Sequence, residues 1–402
     1  MHFEFGLRSS LLLIFFTHLI VYAILSWKRG ITEGRLSDQL LGAFLLSSAL
    51  FIFPWMSGFA GWYDTQPYRE ILFYTPFIHA LFFGPLLYLY LKSLTNTGYQ
   101  IKKNDYYHFI PGVLYMLWSI IVVVVDKLWI GHYYLMNGRT DPDFDKWYSI
   151  TWSVSILAYL ALSIRYYLQY RIFTYLEFSF ADVAGFKWLR NFLYAFTLLT
   201  ALLVSEQILS FFIQLEYVRS WYYFFAFAII TYYMAISAYH ANPVKGLKLN
   251  FEPDLLLHYQ QPLRLEMQTP TTIDIAYTAV DTVAPDNEWM NSWKEKLTNM
   301  IATERVYIEP ELTITELAKK MGTNASLLSK VINTCFEMSF NDLINKCRVE
   351  EAIRLMGDAR YKNLNLLAIA FDAGFNSKST FNRAFKKITG KNPKDYQAGD
   401  VV

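Results

Sequence analysis

Cysteine is nearly absent and charge is scarce. Across 402 residues only Cys335 and Cys347 occur, without a CxxC pair or a Cys/His cluster, so neither a disulfide framework nor a zinc-type ligand set is available. Both thiols are expected to be reduced and packed, and no metal or cofactor is implied. Charged residues make up 17% of the chain against 54% hydrophobic and 18% aromatic ones, a balance that excludes an ordinary soluble protein. A nucleotide-binding Gly-rich loop, an HExxH pair and a nucleophile elbow are all missing, so no enzyme is expected. The first apolar run has no basic leader or small-residue cleavage site, which speaks against a cleaved signal peptide.

What is present is unevenly distributed. Long uncharged runs dominate up to about residue 240, whereas the last hundred residues read as a charged globular domain. Seven apolar stretches are long enough to cross about 30 Å of hydrocarbon as helices: residues 9–27, 36–57, 70–93, 106–125, 147–169, 188–213 and 219–239. An odd number of spans puts the termini on opposite sides. Lys28, Arg29 and Arg35, then Lys92, Lys102 and Lys103, then Arg165, Arg171, Lys187 and Arg190, then Lys245 and Lys248 fall in alternate loops. The remaining loops carry fewer basic residues, or dilute them with Asp126, Asp141, Asp143 and Asp145. The positive-inside rule then sets the N-terminus outside and the C-terminus in the cytoplasm, with the protein in the cytoplasmic (inner) membrane.

Tyr and Trp crowd the span ends, as at Trp62-Tyr63 and Trp221-Tyr222-Tyr223, where amphipathic rings suit the lipid headgroup zone. Pro54, Pro76, Pro85 and Pro111 are candidate kinks. Ionisable residues inside spans are costly and become candidate functional groups. Here they are His18, His79 and Glu206, with Gln207 beside the last. For each, ligand sensing competes with a plain hydrogen bond inside the bundle.

Residues 241–290 change character. Pro243, Pro253, Pro262, Pro270 and Pro285 punctuate a polar, Thr-rich stretch without helical period, which reads as a cytoplasmic linker. Helical spacing returns with Trp289, Trp293, Leu297 and Ile301. Thr313-Ile-Thr-Glu316 has capping-box spacing, Leu317, Ala318 and Met321 form an apolar face, and Gly322 supplies a turn. A second helix begins near Asn324 and buries Leu327, Leu328, Val331 and Ile332. That is helix-turn-helix spacing, in which small Ala318 permits close packing and the second helix is free to enter a major groove.

The pattern recurs. Asn365 caps a helix with Leu366, Ile369 and Ala370, Gly374 turns it, and Ser377 caps a helix with Phe381 and Phe385 on its buried side. Gly390 and Pro393 end that helix. Between the copies, Phe340 to Met356 reads as one helix about 25 Å long, a ruler that could set two recognition helices in successive major grooves about 34 Å apart. Lys378, Arg383, Lys386, Lys387, Lys391 and Lys394 occupy residues 376–394 without one acidic residue, which suits phosphate contact.

Residues 310–396 resemble the DNA-binding domain of the AraC/XylS family. The resemblance is carried by the run from Gly374 through Phe375, Asn376, Ser377, Lys378, Ser379, Thr380, Phe381, Asn382, Arg383 and Ala384 to Tyr396. Leu317-Ala318, Leu328-Ser329 and the segment Arg348 to Ala352 add to it. It implies that Ala325, Ser326 and Lys330 lie on the first recognition helix, and Asn376, Ser377, Lys378, Ser379 and Arg383 on or beside the second. It also implies specific binding of double-stranded promoter DNA, usually activation, and often dimeric action. Glu337 departs from the pattern, which usually has Gly there.

The expected fold is therefore all-α. Residues 1–240 are a seven-helix transmembrane sensor or anchor, 241–290 the linker, and 291–402 an AraC-type domain with two helix-turn-helix units. Expected partners are promoter DNA, membrane lipid, a second copy in a homodimer, RNA polymerase and an unidentified effector. A transporter or channel with a secondary DNA-binding domain is the alternative, one that internal inverted repeats would favour; no clear repeat is visible. A membrane enzyme such as a sensor kinase is the third reading, with no motif behind it.

Overall fold

A computed structural model describes residues 4–136, 142–180, 187–213, 217–240, 251–253, 287–362 and 364–399. Contacts divide the chain into two units: Met1–Tyr167 with Trp188–Asn250, and Leu168–Lys187 with Phe251–Val402. Residues 168–187, expected with the spans, thus group with the C-terminal part. Most of the expected linker, 241–250 and 254–286, lies outside the described residues. No strand forms among the described residues, and every named element is helical.

The first unit is built from α1 (Leu7–Thr32), α2 (Leu36–Gly58), a short α3 (Tyr68–Tyr74), α4 (Phe83–Thr95) and α5 (Ile110–Val123). A π-helical stretch carries α5 on to Ile130. Then follow α6 (Lys146–Glu177), α7 (Lys187–Phe212) and α8 (Tyr217–His240); the unit boundary falls within α6. Helices α1 and α2 pack as a tight hairpin because Gly42 lacks a side chain: a Cβ there would lie 2.9 Å from the carbonyl oxygen of Ala23. At one end of the hairpin Arg29 grips Asp38 through two hydrogen bonds of 2.7 Å, donates to the Tyr239 carbonyl and stacks on the Tyr239 ring. Bidentate pairing of this kind fixes geometry as well as charge. Phe44, Phe51, Phe83, Phe224 and Phe227 meet at ring distances of 4.6–6.0 Å in the core.

Among the described residues six helices are long and apolar enough to cross a membrane: Leu7–Thr32, Leu36–Gly58, Lys103–Ile130, Lys146–Glu177, Trp188–Leu209 and Tyr217–His240. The stretch at 70–93, expected as one continuous span, is instead broken into α3 and the shorter apolar helix Ala80–Thr95. The residue before a proline is pushed out of helical geometry, and Thr75, ahead of Pro76, is extended. Broken backbone among apolar helices must find acceptors within the protein. Asp143 supplies them: its buried carboxylate accepts from the backbone N–H of Phe77 and Ile78 at 2.8 and 2.9 Å, and from the Tyr115 hydroxyl. Tyr148 donates to the Ile78 carbonyl. Asp126 does the same for another turn, accepting from the N–H groups of Leu135 and Met136.

Asp143→Ala would leave those three donors without their acceptor, at about 1–3 kcal/mol for each buried group left unsatisfied. The expected result is a lower thermal unfolding temperature of the full chain in detergent micelles. An unchanged temperature would mean that the break is held by other contacts.

Candidate nucleic-acid interface

In the second unit the helices are α9 (Asn287–Glu304), α10 (Ile314–Met321), α11 (Ala325–Phe336), α12 (Phe340–Met356), α13 (Leu366–Asp372), α14 (Lys378–Thr389) and α15 (Pro393–Gly399). Their starts are set by side chains that satisfy free backbone N–H groups. Thr313 and Glu316 form the capping box, each bond 3.1 Å long. Asn324 accepts from Leu327 N, Ser339 from Asp342 N, Asn365 from Ala368 N, and Ser377 from Thr380 N. Two turns have left-handed backbone: Gly322 at φ 75° between α10 and α11, and Gly374 at φ 94° between α13 and α14.

Two separate cores follow from this arrangement. Leu317, Ala318, Met321, Leu328 and Ile332 pack with Phe340, Leu343 and Ile344 of the first half of α12. Ile369, Ala370, Phe375, Phe381 and Phe385 pack with Val349, Ala352 and Leu355 of its second half. One continuous helix therefore belongs to both helix-turn-helix units, and at 17 residues it is about 25 Å long.

The candidate contact residues fall on the second helix of each unit or at its start. On α11, Ser326 and Lys330 are one turn apart and half-buried, and Asn333 beyond them is exposed. Ala325 is partly buried against the first core. On α14, Lys378, Ser379, Arg383, Lys386 and Lys387 are exposed, whereas Asn376 and Ser377 are half-buried at the helix start. Ser377 is committed to capping, and the Asn376 side-chain oxygen is buried without a partner among the described residues. Lys387 is held by Asp342 at 2.6 Å. Asn382 is exposed on α14 and lies beside Ser379 through i, i+3 spacing; it carries no charge, so the basic pattern of the sequence did not single it out.

A turn running from Arg305 to Pro310 ties the two helix-turn-helix units together. Arg348 on α12 is completely buried and donates to the carbonyls of Tyr307 at 2.7 Å and Glu309 at 2.6 Å. Burial lowers its pKa to about 10, which still leaves it protonated at neutral pH. Arg305 pairs with the buried carboxylate of Glu351, which Arg354 also binds at 2.7 Å; the two guanidiniums hold that carboxyl below its ordinary pKa. On its other side the turn presses on Gly374, where a Cβ would lie 2.5 Å from the Tyr307 carbonyl oxygen.

A family profile described as a helix-turn-helix domain matches residues 317–399, the stretch that carries both units. Residues 317–399 form an AraC-type helix-turn-helix domain. An uncharacterized HTH-type transcriptional regulator of Staphylococcus aureus (strain COL) is 32% identical over 92 residues, 23% of this chain and 12% of that protein. A counterpart in strain MRSA252 gives the same identity over the same shares. Regulatory protein SoxS of Escherichia coli (strain K12) is 26% identical over 106 residues, 26% of this chain and 96% of its own length. The chain thus spans 12% of the length of the staphylococcal relatives, and the similarity describes its AraC-type domain alone. No solved structure matches the chain.

The three sensing candidates of the first unit sit apart in kind. Glu206 lines a cavity of about 230 Å³ with Lys146, Ser149, Trp55, Trp152 and Tyr223. It accepts from Gln207 at 2.7 Å, and the Tyr223 hydroxyl is buried without a partner among the described residues. Neither His18 nor His79 lines that cavity. His18 is exposed, with its Nδ1 2.7 Å from the Ile14 carbonyl. His79, half-buried, stands at the break between α3 and α4.

Two substitutions at left-handed positions of the AraC-type domain should act in opposite directions. Gly374→Ala places a Cβ against backbone and in a strained φ, so it should lower the unfolding temperature of the full chain by an amount matching about 1–3 kcal/mol. Glu337, at φ 53°, carries a strain that glycine relieves, and Glu337→Gly should raise it. Differential scanning fluorimetry in detergent reads both, and equal shifts of one sign would contradict the assignment.

Proposed function

We propose that the chain is a membrane-bound one-component transcriptional regulator. In this reading the AraC-type domain binds specific promoter DNA through both helix-turn-helix units, and the apolar unit senses a signal in the cytoplasmic membrane. The observation that carries the reading is the union, in one chain, of six helices able to cross a membrane and two capped recognition helices fixed on a common central helix.

The roles follow from exposure and chemistry. Arg383, Lys378 and Ser379, joined by Asn382, are suited to base edges and adjoining phosphates, because guanidinium and amide groups can make paired hydrogen bonds there. Lys386 and Lys387 are suited to phosphate, which positions a protein without reading sequence. Ser326 and Lys330 play the corresponding part on α11, with Ala325 beside them. Asn376 and Ser377 shape the start of the second recognition helix. Action as a homodimer on paired sites, contact with RNA polymerase, an effector and surrounding lipid complete the proposal, with the C-terminal domain in the cytoplasm.

Sensing is assigned to the cavity at Glu206. A ligand shifts a two-state bundle only through different affinity for its two states, and a carboxylate, an unpartnered hydroxyl and aromatic walls give such a ligand specific partners. Glu206→Gln should change promoter output in a reporter strain at constant protein level. Output equal to the parent under every growth condition tried would remove Glu206 from the sensing site.

For DNA, Arg383→Ala should weaken binding by about 1–3 kcal/mol and relax preference at one base position, whereas Lys386→Ala should weaken all duplexes evenly and reduce the salt slope by about 1. Chromatin immunoprecipitation of the tagged full chain from membrane fractions tests residence and binding together. Discrete peaks that vanish with Arg383→Ala are expected; absence of peaks in every membrane fraction would refute the reading.

A further inference from the structure

Residues 168–180 behave as part of the AraC-type domain although 168–177 are the end of α6, one of the helices able to cross a membrane, and 178–180 follow directly on it. Tyr170 and Phe173, in the last turns of α6, are buried and meet the ring of Phe251 at 5.5 and 5.2 Å. Phe178, Ser179 and Phe180 are also buried. Past Glu177 the chain leaves the helix for a single bridge residue and a turn, and its freed backbone groups must find partners. Phe178 forms an antiparallel bridge with Thr313, and Ser179 N donates to the Leu312 carbonyl at 3.2 Å.

Side chains on one face of α12, at i, i+4 and i+7, complete the grip. Asn341 donates to the Phe178 carbonyl at 3.0 Å, and Asn345 to the Ser179 carbonyl at 3.3 Å. Arg348 donates to the Ser179 hydroxyl at 3.0 Å. A main-chain bridge backed by side-chain amides that bind successive carbonyls is a way to dock a segment in one register. The same contact reaches the second recognition helix. Tyr175 lines a cavity of about 360 Å³ together with Asn341, Asp342, Asn345, Arg383 and Lys387. Lys387 is already held there by Asp342.

We propose that this face of α12, from Asn341 to Arg348, is the input port of the AraC-type domain, and that its occupant is the chain's own segment 175–180. The proposal rests on the DNA-binding reading. The docked segment and a DNA duplex compete, because Arg383 and Lys387 serve both the wall of the docking site and the surface offered to bases and phosphates. By linkage, whatever loosens the docked segment strengthens DNA binding, and DNA loosens the segment by the same factor. A change in the helices that flank the segment in sequence thereby reaches the promoter-binding surface without an effector touching the domain.

A reversible lock tests this. Phe178 and Thr313 face each other across the antiparallel bridge with the Ser179 N–H bond beside them, a pairing that places Cα atoms about 4.5 Å apart, within the range a disulfide spans. The full chain with Phe178→Cys and Thr313→Cys, in a Cys335→Ser, Cys347→Ser background, is reconstituted in nanodiscs and titrated, oxidised and reduced, against a duplex enriched from a random pool by the parent chain. The oxidised protein should bind about five-fold or more weakly, and reduction should restore the affinity of the unlocked form. Equal affinity in both redox states, with the bond verified by peptide mapping, would overturn the competition. Failure of the bond to form would overturn the docking itself. Retention of no duplex by the parent chain would instead refute the DNA-binding reading, and the proposal with it.

Discussion

A completely buried guanidinium organises the C-terminal unit. An arginine withdrawn from water is tolerated only where its five donors meet acceptors, and Arg348 meets them on segments that are distant in sequence: the carbonyls of Tyr307 and Glu309, and Ser179. These segments have little regular structure of their own, so the charge fixes them where hydrophobic packing alone would leave choices. Because the Tyr307 carbonyl also presses on Gly374, the turn positioned by Arg348 on the central helix sets the entry to the second helix-turn-helix unit. Glu351, one turn further along that helix, secures the same turn through Arg305. The spacing of the two recognition helices is thus a property of α12 and of the turn bound to it, and each small core is spared the task of fixing the other.

The first unit meets its polar obligations by a comparable device of opposite sign. A break in apolar helix exposes N–H groups that apolar surroundings cannot satisfy, and buried Asp143 and Asp126 each receive two such backbone N–H groups. These carboxylates lie in and beside a loop rich in Asp. Read as a sequence, the loop merely dilutes its basic residues; in the fold, part of its charge turns inward and holds irregular backbone in place.

This difference explains what could be read from residues alone. The helix starts at Thr313, Asn324, Asn365 and Ser377, and the turns at Gly322, Gly374 and Gly390, depend on partners within three or four residues, so their chemistry is legible locally. The central helix from Phe340 to Met356 is legible for the same reason. The interruption at Pro76 was not, since proline alone permits either a kinked span or a broken one, and its outcome depends on Asp143, far along the chain. Arg348 was visible within the family-like segment without a role, because nothing near it in sequence discloses that Ser179 and Tyr307 receive its hydrogen bonds. Phe178-Ser-Phe180 lies between two apolar stretches and carries no motif; its burial depends on residues 312, 341 and 345.

The contact with residues 178 and 179 also clarifies why the fold would retain so costly a group as Arg348. A buried charge is weak evidence for stability as such, since an apolar replacement of similar shape often serves equally well. What a guanidinium adds is discrimination, because its donors accept only a chain with carbonyls at the required places. An apolar face on α12 would admit many registers of an extended segment, whereas Asn341, Asn345 and Arg348 admit one, with the carbonyls of residues 178 and 179 and the Ser179 hydroxyl in fixed positions. A contact of defined register, satisfied by a modest number of hydrogen bonds each worth about 0.5–1.5 kcal/mol net, can be both specific and reversible. Those two requirements are hard to reconcile with apolar burial alone, and they are the requirements of a contact through which one part of a chain reports to another.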